Sequence, residues 1–415
     1  MVCNCMTIPS TANNIISKAL KLLDPKNKFN NYIKGYHKGL KIKEAKFEIK
    51  GDLYIFAVGK SASYEAEALN TRLKLLGIIP KKIIAYTKTN HSISTKDTNF
   101  IQIEGSHPYL SERNINNTNK FINYLESVKK SDSILFLLSG GASSLLEIPL
   151  EQIPVTKMIE IYKNLISSDR NINQINEIRK TLSQTKNGGL TKFIKTNNIF
   201  QFINCDIPNE DIYFVGSSPL LWKEIKLDKN ITDFLSLHNI ENIQAQKHEK
   251  VSLQSEFLNS GSLFIEELSN FIENSKIKLK SKPKVLDMSF EDYKSHVELP
   301  EKDQIVLSGG ELTISLPKNH GKGGRNTHFV LSMACIIYKD PANKDIQILS
   351  LGTDGTDGPT DSAGAYINYE LYKNLDPIIY LKQFNSYEYF DRIGTLIKTG
   401  PTKSNVMDLR CIWRE

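Results

Sequence analysis

The sequence predicts a two-domain α/β protein, and three observations carry that expectation. Its 415 residues exceed what a single small core usually serves. Through the first half, short β-rich runs alternate with helical patterns, and beyond Glu301 the order of elements changes. A basic, proline-containing stretch, "KIKLKSKPK" from Lys276 to Lys284, offers the boundary between a larger N-terminal parallel-sheet domain over 1–283 and a smaller C-terminal α/β domain over 284–415.

The first domain reads in order. Asn13–Leu23 has amphipathic helical spacing. "DLYIFAV" (Asp52–Val58) is a buried strand, followed by a helix over Ala62–Leu76. "KKIIAYT" and "FIQIEG" are further strands, and a helix runs from Ser111 to about Lys129. "SILFLLS" (Ser133–Ser139) ends in Gly140-Gly141, helices follow to about Gln184, and "NIFQFINCDIP" and "DIYFVGSSP" give two more strands. Strands alternating with crossover helices predict a Rossmann-like parallel sheet, with ligands where the strands end. In the second domain "QIVLSGGELTISL" reads as two strands around a Gly-Gly turn. "NTHFVLSMACIIY" reads as a helix, and "DIQILSL" and "NVMDLRCIW" as strands.

Composition narrows the function classes. No run approaches the roughly 20 apolar residues of a membrane span, and the start lacks a basic then apolar secretory pattern, so the cytoplasm is expected. The net charge of +7, from 53 basic and 46 acidic residues, is spread along the chain. The densest basic runs carry no interleaved aromatics, which argues against nucleic acid and for solvated faces or linkers. A mild positive field suits small anionic substrates. Five cysteines (Cys3, Cys5, Cys205, Cys335, Cys411) form no C-x-x-C pair and suggest a reducing compartment. Eight scattered histidines form no zinc motif.

Four stretches could carry chemistry. In "FAVGKSA", Gly59-Lys60-Ser61 imitates the end of a P-loop, but the required upstream glycine is replaced by Tyr54. Lys60 at a strand's end is either an anion-contacting group or a plain surface lysine. "LSGGASSLL" (Leu138–Leu146) could bring Ser139, Gly140, Gly141 and Ser143 against a phosphate or carboxylate; the alternative is a tight turn with Ser143 as N-cap. "GKGGRNTHFV" sets Arg325 after Gly323-Gly324 at a helix start, where a cation opposes the helix dipole and a guanidinium could grip a phosphoryl group. "LSLGTDGTDGPTDSAGAYI" crowds Asp354, Asp357 and Asp361 among four glycines after a strand, without EF-hand spacing. Asp354 and Asp357 could hold magnesium or a substrate hydroxyl, while Asp361 is equally readable as an N-cap. No G-x-G-x-x-G joins a strand to a helix, and no G-x-S-x-G elbow appears.

Taken together, these stretches resemble the class II glycerate kinases, the glycerate 2-kinase family whose C-terminal half is the MOFRL domain. "FAVGKSA", "GSHP" (Gly105–Pro108), "LSGGASSLL", "NEIRKTLSQTKNGGL", "CDIP" with "VGSSP", "LSGGELTISL", "KGGRNTHFVLS", "LGTDGTDGPTDSAGAYI" and "TGPTKSNVMDL" occur in the family's order. The resemblance implies a site in a cleft between two α/β domains, ATP and a divalent cation (Mg2+) as cofactors, and phosphorylation of D-glycerate at its 2-hydroxyl. Its proposed catalytic lysine and arginine fall on Lys60 and Arg325. Acidic positions in the matched motifs are Asp206, Glu311, Asp354 and Asp357, with Arg179 and Lys186 as further anion contacts. Gly59, Gly324 and Asn326 lie in the same motifs, and metal ligation would fall to Asp354 and Asp357. The partners so implied are ATP and D-glycerate, with no nucleic acid and no membrane, and a homodimer is left open.

Several positions depart from the family's pattern. Ala142 stands where a third glycine is usual, Leu190 where arginine is usual, and Thr327-His328 where a Gln-Glu pair is common. Some members carry the label hydroxypyruvate reductase, a second reading that the missing dinucleotide fingerprint disfavours. A non-catalytic ligand-binding relative is the third.

Overall fold

The computed structural model describes residues 8–168, 170–240, 243, 248 and 253–415, so Cys3 and Cys5 lie outside the described residues. Two units divide the chain: Lys28–Cys205 with Asp211–Leu258, and Met1–Asn27 with Asp206–Glu210 and Asn259–Glu415. The expected boundary at 283 therefore moves. The first helix, α1 (Ser10–Leu23), and the chain from Asn259 onward both pack with the C-terminal sheet.

The first unit is built on six strands: β1 (Leu53–Val58), β2 (Lys82–Lys88), β3 (Phe100–Gly105), β4 (Ser133–Leu138), β5 (Ile199–Asn204) and β6 (Gln254–Asn259). Their spatial order is β3-β2-β1-β4-β5-β6, and the pairs β3/β2, β2/β1, β1/β4 and β4/β5 are parallel. This is the doubly wound order, which reverses direction between β1 and β4. Strands β1, β4 and β5 are buried at every residue, as a sheet covered on both faces demands. Alternate side chains serve opposite faces: Ile55, Ala57, Leu135 and Leu137 join one cluster, while Phe56 meets Phe121 edge-on at 5.4 Å. Phe121 lies on α3 (Glu112–Glu126); α2 (Ala62–Leu75) precedes it, and α4 (Ala142–Leu145), α5 (Val155–Ile166) and α6 (Ile172–Leu182) follow. "DIYFVGSSP" is not a strand. Val215–Ser217 forms a 3-10 turn whose Gly216, at φ 57°, admits no Cβ because Ala142 Cβ would lie 2.8 Å away.

The second unit has a mixed sheet of β7 (Lys278–Leu279), β8 (Lys284–Ser289), β9 (Gln304–Thr313), β10 (Ile346–Gly352), β11 (Gly364–Ile367), β12 (Leu396–Ile397) and β13 (Asp408–Arg414). The order is β7-β9-β13-β10-β11-β12, with β8 also parallel to β9. Period-two alternation loads both faces. Leu307, Leu349, Leu351, Leu409, Cys411 and Trp413 meet α1 and α7 (Gly261–Glu273), whereas Ile346, Ile348 and Ile412 meet α8 (Arg325–Ile337).

Two sequence expectations fail here for physical reasons. "KIKLKSKPK" is no linker: β7 and β8 are successive pieces of one sheet edge, and lysines with a proline are what edge strands carry against further pairing. "QIVLSGGELTISL" is one ten-residue strand, not two around a turn. Gly310 sits in it at φ 93°, where a Cβ would fall 2.1 Å from Leu286 O on β8. Close backbone approach, not chain reversal, requires the glycine.

Candidate active site

At the reversal point of the first sheet, the turns after β1 and β4 interlock. Lys60 N–H donates to Gly140 O at 2.8 Å, and Ser139 N–H donates to Val58 O at 3.0 Å. The Lys60 carbonyl accepts from Thr87 Oγ1 at 3.2 Å and lies 3.1 Å from His91 Nδ1. Gly59, at φ 133°, would put a Cβ 2.3 Å from Ser139 Oγ. Gly141, at φ 86°, would put one 2.8 Å from Lys60 Cγ and 3.0 Å from His107 Nε2. Gly141, not Ser143, precedes the short helix α4; Ser143 Oγ instead lies 2.8 Å from Ser217 Oγ.

Cations converge on this turn. Burial and then the charges of Lys60, Lys88 and Arg179 hold His107 down to about 4, so its imidazole is neutral near pH 7. Arg179, from α6, lies over the Tyr162 ring at 4.8 Å and leaves its buried Nε without a hydrogen-bond partner. Unsatisfied buried donors are costly, and the anion contact expected of Arg179 would satisfy this one. Lys186 does not share that role. It is fully buried, its Nζ bonds Glu147 Oε2 at 2.6 Å and Leu146 O at 3.0 Å, and Tyr162 donates to the same Glu147 oxygen. Its expected anion contact gives way to an internal ion pair beneath Arg179.

Glu65, one turn into α2, adds a pH dependence. Burial raises its pKa to about 7, and Asn204 Nδ2 donates to it at 2.8 Å. A carboxyl whose folded pKa is raised contributes stability at low pH that is lost as pH rises from 4.5 through 7. That shift is worth on the order of 3 kcal/mol. Glu65→Gln is therefore expected to melt above wild type at pH 8, with the gain vanishing near pH 5, read by thermal denaturation at both values.

The second unit builds its own polar centre on β9, α8, β13 and the loop after β10. Arg325 Nη1 donates to Glu311 Oε1, and Arg325 Nε lies 3.1 Å from Asp408 Oδ2. Asp408 is buried and also accepts from Asn326 Nδ2 at 3.0 Å. Asn326 Oδ1 accepts from Ser350 Oγ at 2.5 Å. Arg410, fully buried, donates to the carbonyls of Gly309 and Gly310 and so fixes the stretch of strand β9 that carries Glu311. Sequence reasoning assigned no role to Asp408, Arg410, His107 or His91, although "TGPTKSNVMDL" and "GSHP" contain Asp408 and His107.

The aspartate loop divides its labour. Asp357 is 2% exposed and caps α8 from a distance: Oδ1 accepts from Asn326 N–H at 2.8 Å, and Oδ2 accepts from Thr327 N–H and Thr327 Oγ1, each at 2.8 Å. Gly324 precedes the helix without a side chain because a Cβ there would sit 2.3 Å from Asp357 Oδ1. Burial raises the Asp357 pKa and the helix N–H groups oppose that rise. Its metal-ligand assignment therefore fails, since both oxygens are spent on the helix. Asp354 is half-buried, and its Oδ1 accepts from Thr356 N–H at 2.9 Å and Thr356 Oγ1 at 3.0 Å; Oδ2 has no hydrogen-bond partner among the described residues. Asp361 is no N-cap, since β11 follows it, and it pairs with Lys398 at 3.0 Å and Tyr387 at 2.6 Å. Asp206 is half-buried just beyond β5, in the short segment grouped with the second unit.

Among the described residues no cluster of three His, Cys, Asp or Glu could cage a metal. The residues fit magnesium only as an ion carried on phosphates, which commonly takes one or two protein carboxylates, and Asp354 is the carboxylate free to serve. Asp357→Ala should lower the melting temperature through loss of about 2 kcal/mol, because helix N–H groups lose their acceptor. Asp354→Asn should leave it nearly unchanged and alter only magnesium dependence. Calorimetry on both variants separates the roles, and equal melting temperatures would reject the cap.

One unit with a doubly wound sheet carrying a lysine and paired glycines at its reversal point, and a second unit presenting a carboxylate-held arginine, define an anion-handling α/β enzyme of the phosphotransferase kind. Two family descriptions match: the domain of unknown function DUF4147 over residues 11–251 and the MOFRL family over residues 304–408. The chain belongs to this DUF4147–MOFRL family of glycerate kinases. It is 26% identical to the glycerate 2-kinase of Pyrococcus horikoshii, covering 97% of this chain and 96% of that one. It is 29% identical to the D-glycerate 2-kinase of Thermotoga maritima, covering 86% and 89%. The crystal structure of glycerate kinase from Thermotoga maritima superposes with a TM-score of 0.80 at 25% identity, over 97% of this chain and 98% of that one.

Proposed function

We propose that the protein transfers the γ-phosphoryl group of ATP to the 2-hydroxyl of D-glycerate, giving 2-phosphoglycerate. The observation that carries the reading is Arg325: two carboxylates hold Nε and Nη1, leaving Nη2 without a partner among the described residues. Phosphoryl transfer asks a protein for positioning and charge neutralisation more than covalent chemistry. Lys60 and Arg325 neutralise the transferring group, while the Gly140–Gly141 backbone and Arg179 receive anionic groups of the substrates. Asp354 is the residue that would hold magnesium, which would supply charge neutralisation for the phosphates. Glu311 and Asp408 aim the guanidinium, and Arg410 steadies Glu311. The cytoplasm remains the expected compartment; among the described residues no helix is long and apolar enough to cross a membrane.

The test incubates pure protein with ATP, magnesium and D-glycerate, then with NADH and hydroxypyruvate. ADP release with 2-phosphoglycerate as product is expected. The 3-phosphate would overturn the regiochemistry, and NADH consumption alone would overturn the kinase.

A further inference from the structure

We infer that the purine base of the nucleotide seats in the second unit, in a cavity of ≈ 320 Å³ lined by Arg325. This inference rests on the kinase reading and names the part of the nucleotide that reading leaves unplaced. Ile314, Leu316, Pro359 and Phe384 give the pocket an apolar wall, and Arg325 and His328 belong to its lining. His328 stacks on Phe384 with centroids 4.8 Å apart and planes within 6°. Leu316 is 58% exposed, an apolar side chain with little cover of its own.

Three features select the occupant. The flat, parallel His328–Phe384 pair and the aliphatic wall suit a planar ring, whose faces are apolar and whose edge is polar. His328 is 9% exposed, yet its Nδ1 has no hydrogen-bond partner, which leaves one buried polar atom for a ring edge to meet. Burial holds the imidazole pKa near 4, so the group is neutral and can accept or donate as tautomer dictates. A three-carbon hydroxy acid matches neither the volume nor the apolar lining, whereas a base seated here carries its phosphates at the Arg325 guanidinium.

The test compares ADP, which has a base, with inorganic tripolyphosphate, which has none, on wild type, His328→Ala and Leu316→Trp. His328→Ala removes the stacked ring; Leu316→Trp alters an exposed side chain and fills the pocket without touching the core. In both variants the Kd for ADP should rise at least about tenfold, with tripolyphosphate binding changed less than about twofold. The KM for ATP should rise in step, and the KM for D-glycerate should not. Unchanged ADP affinity in both variants, or parallel loss of ADP and tripolyphosphate, overturns the base pocket. A wild-type protein that binds ADP in this pattern but phosphorylates no glycerate keeps the pocket and overturns the acceptor, so the two failures are distinct.

Discussion

Arg325→Lys is expected to lower kcat at least about a hundredfold, as catalytic arginines contribute on the order of 10³–10⁵ in phosphoryl transfer. Lysine keeps the charge but replaces a planar fork with a point charge. In this protein the fork is already partitioned: Nη1 faces Glu311 and Nε faces Asp408, which fixes the plane in which the remaining nitrogen can meet a phosphoryl oxygen. A lysine cannot satisfy both carboxylates and reach a third group. The structural alternative is an arginine that only pins the glycine turn, and it predicts the reverse, a lowered melting temperature with kcat per folded molecule preserved. Measuring kcat and melting temperature on one preparation decides, and a stable, fully active Arg325→Lys ends the catalytic assignment.

Much of the fold was legible because burial writes itself into strands. "LYIFAV" and "SILFLL" are buried at every position, and continuous apolar runs of that length leave little else to be. Legibility failed where a residue's meaning depends on a partner far along the chain. Gly310 reads as a turn until β8 is seen paired beside it, and Lys276–Lys284 reads as a domain boundary until β9 is seen beside it. The candidate site divides the same way. Lys60, Gly140 and Gly141 announce themselves at strand ends, whereas Asp357 acts as a cap on a helix some 30 residues earlier, which no local pattern encodes. Asp408 and Arg410 look like ordinary strand residues in "MDLRCIW", and only the pairing of β13 with β9 brings them to Glu311 and Arg325.

Lys60→Met should lower kcat by about 10²–10³, because a preorganised charge at a developing phosphoryl anion is worth several kcal/mol and methionine keeps the stem while deleting the charge. The fold should tolerate it. Lys60 is anchored by its backbone, through Gly140 O on one side and Thr87 and His91 on the other, and none of those bonds uses the ammonium. A second readout is independent of turnover. Lys60 is the largest charge contribution depressing His107, after burial, so its loss should raise the His107 pKa from about 4 without restoring the ordinary value, since burial remains. Histidine ring signals followed across pH 3–7 report that shift directly. Gly141→Ala probes the same contact from the other side: its Cβ would press on Lys60 Cγ and His107, so activity should fall although the charge is kept. A surface lysine with no catalytic part would leave kcat at the wild-type value in Lys60→Met while the His107 shift still appeared. That pair of results would confine Lys60 to shaping the electrostatics of the turn and remove it from phosphoryl transfer.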